Sequence, residues 1–146
     1  MILVFVAKDM SIVDKGYKDS YTDKSDSFGI AYAYNKKLWP GGIRLEKKEN
    51  LFITAHGNDE EIGDADDTGP AMSFEAATLA GILKQIIPTG YTGDIYLSTC
   101  NSYEYAKSLE ASLGTLTSGS DFYGTKKTIP YKIQGPGGSN WHKVTT

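Results

Sequence analysis

The chain has 146 residues, 40% of them hydrophobic and 23% charged, enough to bury one continuous core and too few for two ordinary domains of about 100–150 residues. Fifteen basic against eighteen acidic side chains leave a net charge of −3, a balance that argues against general binding to a phosphate backbone. No apolar run approaches the about 18 residues of a membrane span, and a single cysteine excludes a disulfide framework and any multi-cysteine metal site.

The opening Met1-Ile2-Leu3-Val4-Phe5-Val6 has the length of a buried strand and is too short for a signal peptide. Cytoplasmic synthesis is the expectation. From Lys8 to Ser27 the chain is polar, with Ile12-Val13 its one apolar pair, and reads as a long surface loop. In Phe28 to Tyr34 the residues Ile30, Tyr32 and Tyr34 alternate with small ones, the pattern of a strand with one large-residue face. Trp39-Pro40-Gly41-Gly42 marks a turn, and Ile43-Arg44-Leu45 a short strand after it.

The middle of the chain is richer. Leu51-Phe52-Ile53-Thr54-Ala55 predicts a strand that stops at His56-Gly57, and an acidic loop follows from Asn58 to Thr68. Met72, Ala76, Leu79, Leu83 and Ile86 then recur at helical steps, joined by Ile82 and Ile87 and stopped by Pro88. Asp94 to Ser98 predicts a second apolar strand, ending at Thr99-Cys100-Asn101. Ser102 is placed to cap a further helix with Ala106, Leu109 and Leu113 on one face, closed by Gly114. Strand, helix, strand at these lengths is a βαβ unit with parallel strands. The last third predicts short strands at Thr115–Thr117, around Phe122-Tyr123, at Thr128–Ile133 and at Trp141–Val144, with Pro130 demoting the third to an edge. The expected fold is therefore α/β, one domain over residues 1–146, with a mostly parallel central sheet flanked by helices and short strands in the C-terminal third.

His56 and Cys100 each stand at the carboxyl end of a strand in this unit. If those strands are neighbours, both side chains rise from one sheet edge, where open α/β sheets place their ligand sites. A thiol needs a base or a positive environment to ionise near neutral pH; the imidazole supplies one and the N-terminus of the helix after Ser102 the other. Backbone N–H groups of Gly57 and Cys100 are candidate oxyanion donors. Taken alone, a cysteine after a strand is more often a small buried hydrophobe and His-Gly more often a turn. Two such signals at corresponding strand ends carry more weight than either. His142, beside Trp141, reads as a strand-edge imidazole.

The block Leu51-Phe52-Ile53-Thr54-Ala55-His56-Gly57, a helix, and the block Asp94-Ile95-Tyr96-Leu97-Ser98-Thr99-Cys100 together resemble the histidine and cysteine signatures of clan CD, the caspase-like cysteine peptidases. The polar loop and the segment Ser73-Phe74-Glu75-Ala76-Ala77, read as part of the helix, look most like the autoprocessing protease domains of large bacterial toxins, or like the caspase-like domains of bacterial effectors. The likeness covers residues 51–113. It implies a caspase-like fold in which Cys100 is the nucleophile and His56 the general base or proton donor, with no third residue required. It implies a protein or peptide substrate and a pocket walled by Leu116 to Asp121. There Asp121 would favour a basic residue at the cleavage site, unless it is an exposed turn carboxylate.

No cofactor and no metal are assigned. Toxin autoprocessing domains hold inositol hexakisphosphate in a dense basic cluster, whereas here the lysines fall in pairs and singles (Lys36-Lys37, Lys47-Lys48, Lys126-Lys127, Lys132, Lys143). The acidic loop Asp59 to Asp67 lacks the ligand spacing of an EF-hand. The resemblance leaves export as an effector open as the fate of a cytoplasmic product. Two alternatives to peptide hydrolysis stay open at this level: a non-catalytic caspase-like module that binds a protein, and acyl transfer to an amine, which shares its first half-reaction with hydrolysis.

Overall fold

Three apolar runs stay buried on both faces, as strands of a parallel sheet must. They are β1 (Ile2–Val4), β3 (Leu51–Thr54) and β7 (Ile95–Ser98), with every residue of each withdrawn from solvent. The computed structural model describes residues 1–5, 31–33, 43–57, 61–63, 73–130 and 133–145. With β2 (Ala31–Ala33), β8 (Phe122–Gly124) and β9 (His142–Lys143), these strands form a six-stranded sheet in the order β2-β1-β3-β7-β8-β9. The first five strands run parallel and β9 returns antiparallel along β8. The class is α/β, mostly parallel, as the sequence predicts.

A second, three-stranded antiparallel sheet departs from the sequence expectation. It comprises β4 (His56–Gly57), β5 (Glu61–Gly63) and β6 (Ser73–Glu75) in that order. His56-Gly57 is thus a two-residue strand rather than a turn, and part of the expected acidic loop is β5. The segment Ser73–Glu75 is strand, with helix α1 (Ala76–Leu83) starting only after it.

Helix α1 buries Ala76, Leu79, Ala80 and Leu83, so the predicted stripe is there, but the helix closes earlier than its apolar pattern. A proline ring clashes with the carbonyl four residues back, which here is that of Lys84. The chain accordingly tightens: Gln85 N–H donates to Ile82 O (3.1 Å) and Ile86 N–H to Leu83 O (3.0 Å). Ile86 and Ile87 remain buried through this turn. Helix α2 (Tyr103–Leu113) buries Tyr105, Ala106, Leu109 and Leu113 and ends at Gly114, whose φ of 58° suits glycine.

Among the described residues, three predicted strands are not strands. Residues 43–45 are irregular, with Leu45 N–H donating to Ile86 O (3.0 Å). Gly114–Thr117 is a 3-10 turn continuing α2, and residues 128–130 and 133 are irregular. Lys8 to Ser27, the turn at residues 39–42, Met72 and most of the acidic loop lie outside the described residues. Among the described residues, no helix is long and apolar enough to cross a membrane.

Candidate active site

Strands β3 and β7 are hydrogen-bonded neighbours, parallel, with Leu51 opposite Ile95 and Thr54 opposite Ser98. Counting two residues past that last pair reaches His56 on one strand and Cys100 on the other. The two candidate residues therefore leave the same carboxyl edge of adjacent strands, and both are half-buried.

The two strand ends touch. A methyl group on Gly57 would stand 2.8 Å from both Cβ and Oγ1 of Thr99 and 3.2 Å from Cγ2 of Ile62. Only glycine lets the residue after the histidine pack on the residue before the cysteine. The Thr99 side chain is 1% exposed, and its hydroxyl has no hydrogen-bond partner among the described residues.

Cys100 occupies the corner between β7 and α2. The chain reverses there through Asn101, which adopts φ 53°, a left-handed conformation that asparagine tolerates better than most residues. Among the described residues, the Cys100 N–H meets no backbone acceptor. The first turn of α2 begins three residues beyond the thiol, so the positive end of its dipole lies close by.

Ser102 stands at the N-cap position, but its hydroxyl does not cap the helix. It donates instead to Leu97 O at 2.8 Å and accepts from Thr125 N–H at 3.0 Å. Thr125 Oγ1 in turn donates to Thr99 O at 2.5 Å and accepts from Ser102 N–H at 3.3 Å. Ser102 and Thr125 are both fully buried. Nothing in the sequence separates Thr125 from the other threonines, because its role depends on a contact 23 residues distant along the chain. Ile129, beside the sulfur at 3.4 Å, was equally silent.

Asp121 does not join this group. It precedes β8, where Ile95 N–H donates to its carbonyl (3.0 Å) and its own N–H donates to Asp94 Oδ1 (3.0 Å). That is the amino edge of β7, the opposite end of the strand from Cys100. Its carboxylate pairs with Lys143 at 3.4 Å. His142 lies exposed on the edge strand β9, opposite Gly124. Among the described residues, no three His, Cys, Asp or Glu side chains converge as metal ligands would.

Comparison with family models, with curated proteins and with solved structures gives no match to this chain.

Proposed function

We propose that this chain is a caspase-like cysteine peptidase that hydrolyses a peptide bond through an acyl-enzyme on Cys100. The observation that carries the reading is the parallel β3–β7 pair, whose ends set His56 and Cys100 on one edge and pack Gly57 against Thr99. Two short motifs that are weak singly become a joint arrangement. The Cys100 N–H, which meets no backbone acceptor among the described residues, and the helix start beyond it add the electrophilic surroundings that acyl transfer uses.

In this mechanism the Cys100 thiol gives its proton to His56, and the sulfur attacks the scissile carbonyl carbon. The oxyanion that develops is met by the N–H groups of Cys100 and Gly57. Collapse breaks the C–N bond, and the imidazolium returns the proton to the departing amine. A water, deprotonated by His56, then attacks the thioester, releasing the acid and restoring the thiol.

The test is covalent labelling of the intact protein with peptidyl acyloxymethyl ketones of varied sequence, read by mass, in the parent, Cys100→Ala and His56→Ala. One adduct on the parent, absent from Cys100→Ala and strongly slowed in His56→Ala, is the expected result. A Cys100 that reacts no faster than a free thiol and ignores His56 overturns the reading and favours a module that binds a protein without cleaving it. Adding a primary amine during turnover separates hydrolysis from transfer, because an amide product appears only if the acyl-enzyme accepts amines.

A further inference from the structure

A strap of chain runs alongside the corner that holds Cys100. Tyr103 N–H donates to Thr125 O at 3.0 Å, and Asn101 N–H donates to Lys127 O at 3.2 Å. One segment advances two residues as the other retreats two, the alternation of an antiparallel pair. The next residue of the strap in this alternation is Ile129, and here the strap turns from acceptor to donor: its carbonyls accept at Thr125 and Lys127, whereas the Ile129 N–H faces sulfur. Ile129 N–H donates to Cys100 Sγ at 3.4 Å, and the same sulfur lies 3.8 Å from Ile129 O.

The strap is fixed from within. Through its main chain and hydroxyl together, Thr125 bonds Thr99 O on one side of Cys100 and the N–H groups of Ser102 and Tyr103 on the other. Its own N–H is taken by Ser102 Oγ, which is anchored on Leu97 O. A bracket closed at both ends and fully buried leaves the intervening Cys100-Asn101 little freedom, and it sets where the rest of the strap must fall.

We propose that the main-chain N–H of Ile129 holds the Cys100 sulfur in its thiolate form, and that Thr125 is the positioning residue that delivers it. The inference rests on the reading of Cys100 as a nucleophile. A peptide N–H facing sulfur discriminates between the two protonation states. Toward S⁻ it makes a charge-assisted bond, about twice as strong as its neutral counterpart. The protonated thiol has in exchange only a weak S–H donor aimed at the longer contact with Ile129 O. The proton that leaves sulfur goes to the imidazole of His56, so the N–H assists ionisation without taking part in proton transfer.

The experiment measures iodoacetamide alkylation of Cys100 in the full chain at about pH 7, where the thiolate fraction sets the rate, and at about pH 9.5, where thiols are largely ionised. Ile129 is replaced by its α-hydroxy acid, which turns one amide into an ester and deletes that N–H alone. Thr125→Val, Thr125→Ser and His56→Ala are made beside it, each checked for its fold by circular dichroism. The ester should slow the reaction roughly tenfold at the lower pH and leave it unchanged or slightly faster at the higher, since a less stabilised thiolate is the better nucleophile. Thr125→Val should follow the ester, and Thr125→Ser, which keeps the hydroxyl, should restore the parent rate. A merely structural role would not produce a loss confined to low pH.

If the ester matches the parent while His56→Ala is slow, the strap proposal fails and the dyad stands. If the ester is slow while His56→Ala matches the parent, the dyad fails and the strap stands. A parent thiol no more reactive than a free cysteine sinks both.

Discussion

At the scale of single residues, two neighbours of the candidate pair make opposite demands. Gly57 is required by contact: a Cβ there meets Thr99 Cβ, which has no rotamer to retreat into. Gly57→Ala should therefore part the ends of β3 and β7 and cost about 1–3 kcal/mol, the usual range for overpacking. The check is a urea melt with Cys100 alkylation beside it. A variant of parental stability and reactivity would show that the contact yields. Thr99, by contrast, buries a hydroxyl with no partner among the described residues, and an unsatisfied buried group destabilises the fold it sits in. Thr99→Val should raise stability by about 1 kcal/mol, or roughly 2–4 °C in Tm for a chain of this size. A lower Tm would show instead that the hydroxyl contributes to the packing of this corner.

At the scale of elements, β8 is held against the start of α2 by a second close approach. A Cβ on Gly124 would lie 2.6 Å from Tyr103 Cα and 2.8 Å from its nitrogen, both backbone atoms that cannot swing aside. Gly124→Ala should drive the strand off the helix and carry Thr125 with it. The expected outcome is a loss of stability of about 1–3 kcal/mol together with slower alkylation of Cys100. Unchanged alkylation would separate the β8–α2 contact from the strap.

These contacts also explain what could be read in advance. Continuous apolar runs identify β1, β3 and β7, because both faces of each are buried and no polar residue interrupts them. The stripe through Leu79 and Leu83 identifies α1 because the helix buries one face only and repeats it at helical spacing. The small β4–β5–β6 sheet was illegible, since its strands are two or three residues long and carry no alternation long enough to detect. Thr115–Thr117 has the composition of a strand but directly follows α2, and it stays coiled as a 3-10 turn. Within the site, His56 and Cys100 stand out by chemistry and by their place at strand ends. Thr125 and Ile129 act through contacts formed only once the strap has folded back across the corner. Asp121, a pocket residue only by the resemblance, lies beside the amino end of β7, and sequence does not reveal at which end of a parallel strand a flanking carboxylate falls.

At the scale of the whole molecule, the tyrosines tie the core to pH. Phe52, Tyr96 and Tyr123 lie opposite one another on β3, β7 and β8. Their rings stack at 4.7 Å and 4.6 Å, and Trp141 meets Tyr96 edge-on at 5.0 Å. Burial, reinforced by Asp94 and then by Tyr123 and Asp121, pushes the Tyr96 phenol up to about 12. Burial likewise raises Tyr91, whose hydroxyl donates to Glu49 O at 2.6 Å, and Tyr105, which donates to Phe74 O at 3.0 Å. A phenol whose value is raised in the folded state keeps its proton there while the unfolded chain loses it near pH 10. Its contribution to stability is therefore complete below about pH 10, and for Tyr96 it is lost progressively as the pH rises toward about 12. The fold should hold at pH 9 and unfold cooperatively in that alkaline window. Absorbance at 295 nm and far-UV circular dichroism, followed together, should show exposed phenols ionising first, with the buried ones appearing only as ellipticity is lost. Tyr96→Phe removes one of the protons coupled to unfolding and should move the alkaline midpoint upward. If all ten tyrosines ionise in one ordinary step while the ellipticity persists, the buried phenols are not coupled to folding, and the aromatic stack is looser than its ring distances indicate.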